Sequence, residues 1–147
     1  MTTAHRQPDV SNAEQVAAWD GTEGSYWASH AIAFDRTVER YQPHFHAAAA
    51  IRTHHRVLDI GCGTGLTTRE AARSAPNGEA LGVDLSAQML DVARSTATSE
   101  GLLNAHFLQA DAQTYRFEPA YFDAVISRTG SMFFGRPEIA FANLARA

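Results

Sequence analysis

Val57-Leu58-Asp59-Ile60-Gly61-Cys62-Gly63-Thr64-Gly65 decides the reading of this chain. A short apolar run carries an acid near its end, and glycines then alternate into a helix-forming segment. That order makes a strand, a tight turn and a backbone that can approach a ligand closely, because a Cβ would clash there. Working outward, Arg56–Ile60 reads as a buried-type strand and Leu66 to Ser74 as the helix after the turn. Pro76-Asn77-Gly78 turns the chain into a second strand, Ala80–Asp84. Ser86 caps a helix running to about Ser99, and Glu100-Gly101 ends it as a C′ glycine does. Ala105–Gln109 and Phe122–Ser127 read as third and fourth strands, and Pro137 starts a last helix at N1. This alternation predicts a parallel α/β sheet with helices on its faces, joined by right-handed crossovers.

The segment before Arg56 is helical in pattern. Ser11 and Glu14 have capping-box spacing ahead of Ala13, Val16, Ala17 and Trp19. Asp20 to Gly24 reads as a turn, Ser25–Ala33 as a second helix, and Phe34–Ile51 as a third, broken before Pro43. The expected organisation is a loose tail over 1–11 and one domain over 12–147, with a helical cap at 12–55 and an α/β core at 56–147.

Composition bounds the function. At 147 residues, with 45% hydrophobic and 19% charged content, the chain suits one soluble domain. A net charge of −4 and a pI near 5.9 give no electrostatic reason to expect nucleic acid. The single cysteine, Cys62, excludes an intrachain disulfide framework, and a reducing cytoplasm is the expected compartment. Neither a secretory leader nor an apolar run of spanning length is visible. His44, His46, His54 and His55 lack companion ligands at metal spacing, so surface or core roles are expected for them. Cys62 reads as a small packing residue rather than a nucleophile.

In an open parallel sheet, ligands bind beyond the carboxyl ends of the strands. Gly61, Gly63 and Gly65 sit at the first such end and Asp84 at the second, where a carboxylate can accept both hydroxyls of a ribose. Asp111, with Ala112, follows the third strand and can read an adenine edge. Asp59 precedes the turn and can hold a cationic amine directly or through water. Dinucleotide sites use G-x-G-x-x-G and rest a pyrophosphate on the helix N-terminus. Here the spacing is G-x-G-x-G behind an acid, which suits a cationic adenosyl ligand, S-adenosylmethionine.

With these residues the chain resembles the class I S-adenosylmethionine-dependent methyltransferases, in particular the bacterial ubiquinone/menaquinone-biosynthesis group. Val57–Gly65 resembles the first motif of that family. Gly82–Ser86 is similar to its acidic second-strand end, Gln109–Ala112 to its adenine-reading motif, and Phe122–Ser127 to its fourth strand. The resemblance implies a Rossmann-like core of strand order 3-2-1-4. It also implies that Asp59, Gly61 and Gly63 contact the methionine part, Asp84 the ribose, and Asp111 with Ala112 the adenine, with Cys62 and Gly65 in the same cofactor site. Leu85 and Met89 would flank the adenine ring, Ser127 and Arg128 would border the methyl group, and Tyr26-Trp27 would fold over the cofactor. Arg128 could instead bind an anionic acceptor or pair with a carboxylate. Phe133, Phe134, Tyr115 and Phe117 would line an apolar acceptor site or pack in the core.

The family continues beyond Asn143-Leu144-Ala145-Arg146 with a Pro-Gly-Gly turn, a fifth strand and an antiparallel pair. The expectation is therefore a domain cut after its fourth strand, leaving Phe122–Ser127 as an edge open to self-association or a partner protein. The expected activity is methyl transfer to a small, apolar or aromatic acceptor, with no catalytic residue identified. Three alternatives stand beside it: an impaired cofactor-binding or interaction module, a non-functional fragment, and an NAD-binding oxidoreductase fragment.

Overall fold

The computed structural model describes residues 8–147. Four strands, β1 (Arg56–Ile60), β2 (Glu79–Asp84), β3 (Ala105–Gln109) and β4 (Ala124–Ile126), form one parallel sheet of order β3-β2-β1-β4. The expected order is thus found, with β4 at one edge and β1 in the interior. Register pairs Asp59 of β1 with Gly82 of β2 and Ile126 of β4. Because side chains alternate across a strand, β1 serves two cores. Leu58 and Ile60 pack with Val83, Ala112 and Leu144 on one face. Val57 packs with Ala71, Ala72, Ala80 and Ile126 on the other.

Helices α5 (Leu66–Ser74), α6 (Ala87–Ser99) and α7 (Pro137–Leu144) follow β1, β2 and β4. Their ends obey the expected chemistry. The Ser86 hydroxyl accepts from Met89 N at 3.3 Å, Gly101 adopts φ +69 just past α6, and Pro137 opens α7.

Strand β4 is shorter than the sequence suggested. Phe122 N donates to the Ala147 carbonyl at 2.9 Å and Asp123 N to Arg56 O at 2.8 Å. The Phe122 donor is thus turned away from β1, the Asp123 donor makes the first bond to it, and the paired register runs from Ala124 to Ile126.

The cap comprises α1 (Ala13–Trp19), α2 (Thr22–Ser29), α3 (Ala31–Val38) and α4 (Gln42–Ala49). The turn after α1 is confined to Asp20 and Gly21, and helix resumes at Thr22 rather than Ser25. Pro43 lies inside the first turn of α4, where its missing N–H costs nothing. Ser11 does not cap α1. Asp9 caps a 3₁₀ turn over Val10–Asn12 instead, accepting from Ser11 N at 2.9 Å and from Ser11 Oγ at 2.6 Å. Of the segment read as a tail, residues 1–7 lie outside the described residues. Among those described, no helix is long and apolar enough to cross a membrane.

Candidate functional site

Beyond the carboxyl ends of the strands the cap closes over the sheet and leaves a cavity of about 320 Å³, within the range of small-molecule sites. Its floor is the glycine turn. Gly61 N and Cys62 N both donate to Val83 O, at 2.8 and 3.1 Å, which pulls the turn over the end of β2. Gly61 has φ +64, and a Cβ there would lie 2.5 Å from Gly130 Cα. The turn and the loop after β4 thus touch backbone to backbone, which no other residue type permits. Gly63 has φ +55 and carries its N–H to Asp84 Oδ2 at 2.8 Å. Arg69, nearly fully buried, braces the turn by donating to Thr64 O at 2.8 Å and pairs with Glu100 at 2.9 Å.

The acids follow the strand ends. Asp84 accepts from Gly63 N and, through Oδ1, from Ser86 N at 3.0 Å. Burial raises its carboxyl, against the backbone donors of Ser86, Gly63 and Leu85 that lower it. About four lone-pair directions exist on a carboxylate, so about two remain for a ligand diol.

Asp111 is more committed. Its Oδ1 accepts from Asn12 Nδ2 and Gln113 N, each at 3.0 Å, and its Oδ2 from Asp9 N at 3.1 Å. The residue expected to read an adenine therefore also moors the start of the cap.

Asp59 is fully buried behind the turn rather than in the cavity wall. Thr68 Oγ1 donates to its Oδ2 at 2.7 Å, while Oδ1 has no partner among the described residues. Desolvation raises its carboxyl to about 6, opposed by the Thr68 and Thr67 hydroxyls and by the Arg128 charge.

The remaining expected residues divide between the wall and its support. Gly61, Cys62, Gly63, Asp84, Leu85 and Met89 line the cavity, as do Asp111, Ala112, Arg128 and Trp27. Gly65 and Ser127 do not. A Cβ on Gly65 would meet Ala93 Cβ at 2.7 Å and the Phe107 ring at 2.8 Å, so its role is helix packing. Ser127 Oγ donates to Ile60 O at 2.8 Å and accepts from Ser131 N at 3.0 Å, tying β4 to β1 beneath the wall. The Cys62 thiol is buried, which pushes it well above the usual range, and it abuts Gly82 as a packing group.

Residues not foreseen complete the enclosure: Asn12, Trp19 and Phe34 from the cap, and Thr129 from the loop after β4. Phe133 and Phe134 also face the cavity, and Phe133 meets Trp19 edge-on at 5.1 Å between centroids. Trp27 and Phe34 form a second edge-on pair, also at 5.1 Å. Two groups of bonds hold the roof at either end of α1. Asn12 bridges Asp111 and Gly135 N, while Asp20 Oδ1 accepts from Ala87 N at 2.8 Å and from Gln109 Nε2 at 3.2 Å.

Fold and site together define a Rossmann-like α/β domain with a small-molecule cavity at its strand ends. A methyltransferase-domain family model matches residues 57–147, more than half of the chain, and the chain belongs to that family. It is 38% identical over 97 residues to the ubiquinone/menaquinone biosynthesis C-methyltransferase UbiE of Stutzerimonas stutzeri, a match covering 65% of this chain and 38% of that protein. The YcgJ structure from Bacillus subtilis superposes with a TM-score of 0.63 at 34% identity, covering 68% of this chain and 42% of YcgJ. Haemonchus contortus phosphoethanolamine N-methyltransferase 2, solved with S-adenosylhomocysteine, gives a TM-score of 0.62 at 36% identity, covering 66% of this chain and 22% of that one. The chain thus spans well under half the length of these relatives.

Proposed function

We propose that this domain binds S-adenosylmethionine in the strand-end cavity and serves methyl transfer to a small, apolar or aromatic acceptor. The observation that carries the reading is the alignment of three features across neighbouring strand ends. The glycine turn follows β1, Asp84 ends β2, and Asp111 follows β3. A ribose would take the free lone pairs of Asp84, an adenine would lie by Asp111, Ala112, Leu85 and Met89, and the chain bearing the sulfonium would cross Gly61 and Gly63. The group fits the residues present: a Cβ on Gly63 would crowd Met89 Cε to 2.8 Å and narrow the cradle. The unpartnered Oδ1 of Asp59, behind the turn, suits an ammonium reached through water.

When bound, the cofactor would supply an activated methyl carbon for transfer to an acceptor lone pair. The chain contributes position and dryness. Trp19, Trp27, Phe34 and Phe133 exclude water and offer aromatic faces that tolerate a sulfonium charge. Holding two reactants in line can contribute several kcal/mol without a dedicated base. The apolar roof is also why an apolar or aromatic acceptor is proposed.

Calorimetric titration with S-adenosylmethionine tests the cofactor, and transfer of a labelled methyl group to candidate phenols and quinols tests the activity. An Asp84→Ala variant is expected to bind at least about ten-fold more weakly, since hydrogen bonds to a charged group are worth about 1.5–3 kcal/mol. Undiminished affinity in that variant would remove the proposed pocket.

A further inference from the structure

Arg128 is the one cationic side chain lining the cavity among the described residues. Its surroundings do not neutralise it locally. Nη1 donates to the neutral amide oxygen of Gln42 at 2.9 Å, and Nε is buried with no partner. The carboxylates nearest in charge terms, Asp35, Asp59 and Glu70, act on it only through space, and none of them forms an ion pair with it among the described residues. Glu70 pairs with His46 at 2.6 Å and accepts from Gln42 Nε2. Asp59 accepts from Thr68, and Asp35 lies 4.0 Å from Arg69. The Phe34 ring sits 5.9 Å from the guanidinium carbon and gives that side an apolar wall. A half-buried guanidinium with unused donors is costly unless something anionic meets it.

The backbone holds this side chain in place at some expense. Thr129, the next residue, has φ +72, a left-handed conformation that a β-branched residue rarely adopts. Gly130 follows, with its Cα packed against Gly61. Strain of that kind persists where the surroundings impose it and clusters at ligand sites.

Position indicates what is bound. In the order β3-β2-β1-β4, Asp111 and Asp84 occupy one side of the cavity and Arg128 the other. At about 4.8 Å per strand, Asp111 and Arg128 are roughly 14 Å apart along the sheet. An adenosine lying at the acids would point its 5′ substituent across the glycine turn toward Arg128.

We infer that Arg128 is a carboxylate-binding residue that fixes the end of the cavity remote from the adenosine acids. The inference rests on the proposed function for the placement of the adenosine. The carboxylate can come from the amino-acid end of the cofactor or from the acceptor, and the planar fork of Arg suits either.

The test is calorimetry of the full chain and its Arg128→Gln and Arg128→Lys variants. The probes are S-adenosylhomocysteine, which carries the carboxylate, and 5′-methylthioadenosine, which lacks the amino-acid end. Benzoate is titrated into each nucleoside complex as an acceptor-like carboxylate. With a cofactor carboxylate, Arg128→Gln weakens S-adenosylhomocysteine about 10- to 100-fold and leaves methylthioadenosine unchanged, while Arg128→Lys recovers part of the loss. With an acceptor carboxylate, both nucleosides bind unchanged and benzoate binding is lost in Arg128→Gln. Retained methylthioadenosine affinity also shows that the variant pocket is folded. If both nucleosides weaken together, Arg128 is a structural prop and the inference fails; if no ligand is affected, it fails as well. A wild-type chain that binds neither nucleoside overturns the proposed function and this inference with it. A wild-type chain that binds both equally and ignores benzoate overturns the inference alone.

Discussion

Replacing Asp59 with Asn is expected to stabilise the fold at neutral pH and to weaken cofactor binding. The Asp59 carboxyl is fully buried, one oxygen lacks a partner, and burial raises it from 3.8 to about 6. Between about pH 4 and pH 6 the folded chain holds the proton more tightly than the unfolded chain, so the unfolded state gains relative stability as pH rises through that window. The full penalty is present above about pH 6 and corresponds to about 3 kcal/mol. Asn has the same shape and does not titrate. The stability of Asp59→Asn relative to wild type should therefore climb by about 3 kcal/mol from pH 4 to pH 6 and then level off. At neutral pH that is a gain of about 10 °C in Tm for a domain of this size. Urea unfolding of both proteins across the range reads the difference directly, and other carboxylates cancel in the comparison. A stability difference that stays constant with pH would refute the claim that this carboxylate is held at a desolvation cost. The binding half fails if Asp59→Asn takes up S-adenosylmethionine with undiminished affinity.

Gly61→Ala should cost far more than Gly101→Ala, although both residues have positive φ. At Gly101 nothing lies within 4 Å of a new Cβ, so only the left-handed penalty of about 1–2 kcal/mol applies. At Gly61 the backbone of Gly130 adds an overpacking cost of about 1–3 kcal/mol; equal Tm losses would contradict this. Ser86→Ala removes the cap of α6 and should lower Tm by about 2–4 °C, about 1 kcal/mol. Asn12→Ala unmoors the roof from Asp111 and Gly135, and hydrogen exchange should quicken across residues 9–19 while β1 keeps its protection; unchanged exchange in the cap would discount the anchor.

The core of the fold was legible because its signals are local. The apolar run at Val57, the alternating glycines, the Ser86 cap and Pro137 each announce a boundary within a few residues. Strand β4 was overread because the N–H of Phe122 is taken by Ala147, a contact no local pattern encodes. The strand-end acids were legible because topology alone sets them side by side. Asn12, Trp19 and Phe34 were not, since they reach the cavity only when the cap folds back over the sheet. Ser11 and Glu14 gave a capping-box spacing, yet Asp9 supplied the nearer carboxylate and took the first turn. Asp59 and Ser127 showed the right residue types at strand ends, but the pleat turns Asp59 toward α5 and Ser127 is spent on the Ile60 carbonyl.

The anchoring of α1 at both of its ends has a kinetic consequence. The bonds at Asn12 and Asp20 hold Trp19 over the cavity, and they must let go before α1 can lift from a ligand beneath it. Where lifting of α1 is the slow step, residence time becomes separable from affinity. Asn12→Ala should shorten the lifetime of a bound nucleoside by speeding arrival and departure together. The two roof tryptophans place a fluorescent reporter of that motion inside the cavity itself.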